Sequence, residues 1–400
     1  MVSPAGLAAV FPWGMNSNLN FFRALLWAAL SLFINIPFLC AQFYGDPPDK
    51  THPWAIHDNN RSQPLRVDPG EVPGSPPSDA IILFDGSQES FKSNWEHEKP
   101  KRKKNWKVIN GALISVDGAG DLLSKALFAD CQLHIEWAAP SKIVGSGQGR
   151  GNSGVFLMGE TEVQVLDNYN NPTYPDGFAG SVYGVMPPMV NALNGPGEWQ
   201  TYDIIFRRPV HGDSKVLDGG SLTVLLNGII IQDGTPLDGG GVHKKRSQPR
   251  PFPDKGPLKL QDHGSPVQFR NIWYRELRKR PIEGGTDGKL SFESTIAKRT
   301  ETAANIRKDA ATRKGKEKLL RLMESLCYEE DAGVIAAAEK LRAKCIAQVK
   351  IDPDSHKEDI VQVNNAVKYL VKHQSMRADH PDIEILKKII IDNGWKTRDK

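Results

Sequence analysis

The chain has 400 residues, 39% hydrophobic and 24% charged, with 36 Gly and 28 Pro. That length allows about two or three folded units, and so much Gly and Pro points to turns and short strands rather than a helical bundle. Glycine shows no period of three, which excludes collagen. The net charge of +4, from 51 basic against 47 acidic residues, lacks the concentrated basic face that nucleic-acid binding requires.

Residues 1–41 contain no Asp or Glu and one cationic residue, Arg23. An apolar run from Ala24 to Ile34 follows, then Pro37, Leu39, Cys40 and Ala41. This is the pattern of a secretory signal peptide cut near Ala41, so a secreted or periplasmic location is expected. The run is short of the roughly 20 apolar residues that span a bilayer. Met15 is an alternative start, and an uncleaved membrane anchor remains open. A lipoprotein through Cys40 is disfavoured by bulky Leu39. Of the other cysteines, Cys131 reads as a buried thiol, while Cys327 and Cys345 lie on neighbouring predicted helices and could pair in an oxidising compartment. No cysteine spacing is that of a zinc site.

Residues 42–79 are polar and rich in Pro, Gly and Asp, and read as a flexible linker or arm. Strands are predicted at 81–84, at 106–109 and 112–116 around Asn110-Gly111, at 132–137, and at 154–158 and 162–166 around Gly159. Further strands are predicted at 199–206, at 221–226 and 229–231 around Asn227-Gly228, at 258–261 and at 267–275. Many short strands with turn signals and no alternating helices predict an antiparallel β-sandwich or jelly roll over residues 80–278. Beyond the joint at Gly284-Gly285, residues 282–400 form a C-terminal α-helical region. Helical faces recur at Leu319, Leu322, Met323 and Leu326, at Val334, Ala338, Leu341 and Cys345, at Ile360, Val363, Val367 and Leu370, and from Ile383 to Ile391. This region carries no chemical motif.

The densest polar chemistry lies between Gly147 and Gly184. Asn152 leads into a strand, and alternation then puts Glu162 and Gln164 on one face. Asp167 and Tyr169 follow at the strand end, with Asp176 and Tyr183 in the next loop. Carboxylates and amides bind sugar hydroxyls, and aromatic rings bind sugar C–H faces. The exposed face of an antiparallel sheet is also polar without any function. A second patch, Gln261-Asp262-His263, joins two strands, and His263 can exchange a proton near neutral pH or simply bond to backbone. Arg270, on the next strand, can neutralise an anion or pair with Glu.

In these residues the chain resembles the 3-keto-disaccharide hydrolase domain family. The matching motifs, in order, are Leu83-Phe84-Asp85-Gly86, Trp106-Lys107-Val108, Gly120-Asp121-Leu122-Leu123-Ser124, Gly151-Asn152-Ser153-Gly154, Glu162-Val163-Gln164-Val165, Tyr174-Pro175-Asp176-Gly177, Gly197-Glu198-Trp199-Gln200, Gln261-Asp262-His263-Gly264 and Phe269-Arg270-Asn271-Ile272. The resemblance covers half the chain and implies a concanavalin A-like sandwich whose concave sheet holds the site. It also implies 3-keto-glycoside substrates, oxidised beforehand by a partner sugar 3-dehydrogenase.

A ketone at C3 acidifies the C2 proton, so a base can form an enolate that expels the C1 substituent, and water then adds. The expected machinery is His263 and Glu162 as base and acid. Asp167, Gln164 and Asn152 position hydroxyls or hold a divalent metal ion, and Tyr183 and Arg270 stabilise the enolate oxygen. Glu162, Asp167 and His263 are expected around one saccharide-sized hollow. A conventional two-carboxylate glycosidase is disfavoured because the strand reads Glu162-Val163-Gln164, unless Glu136 supplies the second carboxylate. A carbohydrate-binding module without turnover, or a structural envelope protein, is the rival from another class.

Overall fold

The computed structural model describes residues 41–99, 101, 103–211, 216–237, 244–246, 250–280 and 292–395. The expected signal segment before Ala41 lies outside them. The chain divides into two units, one from Pro64–Gly288 and one from Met1–Gln63 with Lys289–Lys400.

The first unit opens with β1 (Ile81–Phe84), α1 (Gln88–Asn94), β2 (Trp95–His97), β3 (Lys107–Ile109), β4 (Ala112–Ile114), β5 (Leu122–Phe128) and β6 (Cys131–Ala138). Next come β7 (Ser153–Leu157), β8 (Thr161–Val165), β9 (Gln200–Arg207), β10 (Val210–His211), β11 (Val216–Asp218) and β12 (Ser221–Leu226). β13 (Ile229–Pro236), β14 (Gly256–Leu260) and β15 (Gln268–Glu276) complete it. One sheet has the order β13-β12-β9-β6-β15-β4-β3, with β1 also on β15, a second runs β2-β5-β14-β7-β8, and β10 and β11 form a separate two-stranded sheet. The predicted antiparallel sandwich is therefore present, and its strand pairs are antiparallel throughout.

Local chemistry explains the turns. Asn110-Gly111 and Asn227-Gly228 all adopt positive φ, as two-residue hairpin turns demand, and they close β3–β4 and β12–β13. Ser87 caps α1 by accepting from the Ser90 amide. Alternation then builds the core. In β14, Leu258 and Leu260 are fully buried while Lys259 faces outward. In β15, Phe269 is buried and Arg270 faces outward. One apolar cluster joins Leu133, Ile135 and Phe269 of the eight-stranded sheet to Val155, Val163 and Leu258 of the five-stranded sheet. Each such side chain contributes about 1.5–3 kcal/mol by burial, and Leu258→Ala, at the centre, would cost about 2–5 kcal/mol. The outer faces of the two sheets therefore point to opposite sides of the sandwich.

The second unit contains α2 (Phe292–Ala311), α3 (Gly315–Ser325), α4 (Ala332–Ile351), α5 (Pro353–Lys372) and α6 (Pro381–Asp392) around Ile306, Met323, Ala338, Val363, Val367 and Leu386. α2 was not expected: its buried residues are Thr295, Thr302, Ala303, Ile306 and Ala310, so small that the apolar period is faint. Cys327 and Cys345 are both free thiols, as is Cys131. Among the described residues no helix is long and apolar enough to cross a membrane.

Residues 42–79 hold no helix or strand, yet they are tied into both units rather than free. Asn60 donates to Glu324 and accepts from Arg321, and the Tyr369 hydroxyl donates to the Gly45 carbonyl. Within the sandwich unit, the Gly74 carbonyl accepts from Asn271 and Trp273, and Arg275 pairs with Asp79. Backbone hydrogen bonds to side chains replace the secondary structure that the composition denies.

Candidate active site

The outer face of the five-stranded sheet is laid out by strand register. Glu96 lies opposite Leu123, Leu123 opposite Lys259, Lys259 opposite Phe156, and Phe156 opposite Glu162. Side chains two residues apart share a face, so Gln164 and Gln261 form the next row around Gly154. The Lys259 ammonium sits 4.2 Å over the Phe156 ring, 3.9 Å from Glu98 and 3.8 Å from Asp121.

Glu162 is 7% exposed, and its carboxyl makes no hydrogen bond or ion pair with another described residue. It lies across the backbone of Gly154, where an added Cβ would stand 2.4 Å from Oε1. Glycine at that position makes the room. Burial pushes Glu162 up to about 8, with Lys259 pulling it down and Asp121 adding to the rise. A carboxyl of this kind holds its proton at neutral pH and can deliver it.

The loop after β8 closes over the free edge of that strand. Tyr183 donates its amide to the Glu162 carbonyl, and its hydroxyl lies 2.9 Å from that of Tyr174. Burial first, then Tyr174, Glu162 and Asp176, hold the Tyr183 hydroxyl above its ordinary range, so it stays protonated as a donor. Gln164 donates to Gln148, which in turn donates to the Gly177 carbonyl. The buried Oε1 of Gln164 has no partner among the described residues. Asn152 donates to the Gln148 carbonyl, so it supports the site from behind rather than lining it.

The structure thus brings Glu162, Gln164, Gln261 and Tyr183 together, with Asp176 beside Tyr183. Asp167 leaves the expected group. Both its oxygens accept from Arg150, at 2.7 and 3.0 Å, in a pair that is buried on both sides. Tyr169 follows it with its ring exposed and its carbonyl bound by Arg150. His263 is exposed on the loop leaving β14. Its neighbour Asp262 accepts from Ser115 and Gly120 and donates its amide to Asp121, which anchors this loop beside the Lys259 row.

Arg270 is on the wrong side for its expected role. It faces outward from the eight-stranded sheet, donating to Glu136 at 2.6 Å with its guanidinium 3.9 Å over Trp199. Glu136, the alternative second carboxylate, is on that same face and cannot partner Glu162. Asn271 donates to Glu136, and His134 bonds Asp203 at 2.7 Å while stacking on Trp273. Burial opposes charge on His134, but the hydrogen bond to Asp203 and the nearness of Glu136 outweigh it and raise His134 to about 9. Burial would raise Glu136, yet His134, Asn271 and Arg270 bring it down to about 2.

Sequence reasoning missed Lys259, although Leu258-Lys259-Leu260-Gln261 alternates and places Lys259 beside Gln261. Among the described residues, no three His, Cys, Asp or Glu side chains converge as a metal-ligand set, so the divalent ion considered from the sequence finds no fitting donors there. The face offers a proton donor at Glu162, a cation at Lys259, a hydroxyl at Tyr183 and amides at Gln164 and Gln261.

A family model described as the 3-keto-alpha-glucoside-1,2-lyase-like domain matches residues 79–275. The crystal structure of a candidate glycosyl hydrolase from Parabacteroides distasonis ATCC 8503 is 42% identical, with a TM-score of 0.51. That match covers 54% of this chain and 93% of the other. A second candidate glycosyl hydrolase from the same organism is 20% identical, with a TM-score of 0.36, covering 50% of this chain and 94% of its own. No curated protein matches the chain. Through its sandwich, the chain belongs to the 3-keto-alpha-glucoside-1,2-lyase-like domain family.

Proposed function

We propose that the sandwich cleaves 3-keto-glycosides by elimination followed by hydration. The family match and the relative described as a candidate glycosyl hydrolase support a carbohydrate-active enzyme. The observation that carries the finer reading is Glu162, a buried carboxyl without an ion pair, pushed up to about 8 in the same row as a lysine.

In this reading His263 removes the C2 proton, and the electron pair moves onto the C3 oxygen. Lys259, in place of Arg270, and the Tyr183 hydroxyl stabilise the developing enolate. The enolate re-forms its carbonyl, the C1–O bond breaks, and the leaving oxygen takes the Glu162 proton. Water then adds across the C1–C2 double bond: its hydroxyl goes to C1 as the Glu162 carboxylate takes its proton, and protonated His263 returns a proton to C2. Net hydrolysis results, with Glu162 and His263 both back in their starting forms. Gln164 and Gln261 hold sugar hydroxyls, with the unpartnered Gln164 Oε1 accepting from one of them. Asp167 belongs to the scaffold. The substrate must come from an oxidising step, as a sugar 3-dehydrogenase would supply, and the amino-terminal pattern supports secretion or export to the periplasm.

The test incubates the full chain with 3-keto-glucosides and their unoxidised parents. Aglycone release from the oxidised set alone supports elimination. Release from the parents points to an ordinary glycosidase, and binding without release points to a lectin.

A further inference from the structure

The charge around Lys259 narrows the substrate class, on the reading that this face is where the sugar binds. Lys259 is bracketed by Glu98 and Asp121 at 3.9 and 3.8 Å. The Asp121 carboxylate is held, its Oδ1 accepting from the Asp262 amide at 2.9 Å, and the Glu98 backbone is tied to the same residue, its amide donating to the Asp121 carbonyl. Glu96 adds a third carboxylate in the Lys259 row. A second cation, Lys125, stands one step along β5 and donates to the Lys92 carbonyl. Around Lys259 these two ammonium groups stand against three carboxylates, a local excess of negative charge.

We infer that Glu98 and Asp121 make this face select uncharged glycosides and reject uronides. A lysine already flanked by two carboxylates has little field left for a third. A sugar carboxylate docked on this row therefore meets repulsion from Glu98 and Asp121 rather than a salt bridge. One uncompensated charge at contact range near a protein surface changes affinity by about tenfold or more. The same pair fixes the Lys259 ammonium as a point donor for a neutral ketone oxygen.

The test compares a 3-keto-glucoside with the 3-keto-glucuronide of the same aglycone, measuring both kcat/KM and calorimetric affinity. The natural protein should favour the glucoside at least tenfold in both, and the preference should shrink as salt is raised. In Glu98→Gln, and in Glu98→Gln combined with Asp121→Asn, the ratio should fall toward one, mainly through a gain on the glucuronide. Glu98 is partly exposed, so the single variant serves if the double one does not fold. Equal use of both sugars by the natural protein, or a ratio unmoved by either variant, overturns the inference. If neither oxidised sugar is cleaved, the cleavage reading fails, and the affinity ratio still decides the inference.

Discussion

The two outer faces of the sandwich both carry titratable groups inside a sheet, and they handle them in opposite ways. On the eight-stranded face the central charged groups are paired: His134 with Asp203, and Glu136 with Arg270, with Asn271 also donating to Glu136. Pairing drives the histidine up to about 9 and the glutamate down to about 2, so both stay ionised across neutral pH. On the five-stranded face Glu162 is buried with no partner among the described residues and is pushed up to about 8. A paired group is locked by its partner, whereas an unpaired buried carboxyl is poised to exchange its proton. In the proposed reading the cluster with the more familiar look, a His–Asp pair under a tryptophan, is the scaffold, and the plainer row is the reactive one.

Exchanging the cations tests this contrast with the largest effect. Lys259→Met should lower turnover of a 3-keto-glucoside by about 10²–10³-fold, the scale of losing one electrostatic stabiliser. Arg270→Met should leave turnover within about twofold and lower the melting temperature by about 2–4 °C. Comparable losses from both changes would erase the distinction between the faces. Next comes Gly154→Ala, whose Cβ would stand 2.4 Å from the Glu162 carboxyl and 2.7 Å from the Phe156 ring. A displaced acid should cost about 10²-fold in kcat with the fold retained by circular dichroism. Full activity in this variant would show that Glu162 need not lie where it does.

The pH profile gives a smaller, graded effect. In the proposed mechanism Glu162 acts in its protonated form, so kcat should fall as pH rises through about 8, by about tenfold per unit beyond it. The Glu162→Asp profile should move with the carboxyl, and an unmoved alkaline limb would assign that limb to another group. Smallest is the stability effect of the paired face. His134 is raised from 6.5 to about 9, so its contribution is complete below 6.5 and is lost as pH rises through about 9. Glu136 is lowered from 4.5 to about 2, so its contribution is present above 4.5 and is lost as pH falls through about 2. His134→Gln should flatten the alkaline decline of the melting temperature, and an unchanged slope would contradict the assignment.

Part of the site was legible because strand alternation is local. Glu162 and Gln164 share a face in any strand, and Leu258-Lys259-Leu260-Gln261 carries the same information about Lys259, passed over because a lone lysine on a strand is usually solvated. Arg270 was illegible for a topological reason. Alternation shows that it opposes Phe269 but not which sheet its strand joins, and β15 crosses away from the sheet holding β14. Asp167 was misread because its partner, Arg150, lies 17 residues earlier, and nothing local links the two. The sandwich followed from turn signals at Asn110-Gly111 and Asn227-Gly228, whereas α2 hid behind small buried residues. The arm at 42–79 looked free because its fixing bonds come from residues far along the chain, such as Asn271, Glu324 and Tyr369.

The most direct measurement sets Glu162→Gln beside Glu136→Gln, one glutamate from each face, in aglycone release from a 3-keto-glucoside with sugar affinity measured in parallel. The account predicts that Glu162→Gln loses turnover by about 10²–10⁴-fold while keeping its affinity, and that Glu136→Gln stays within a few-fold of the natural protein. Equal losses in both, or a loss confined to Glu136→Gln, would place the chemistry on the other face and contradict it.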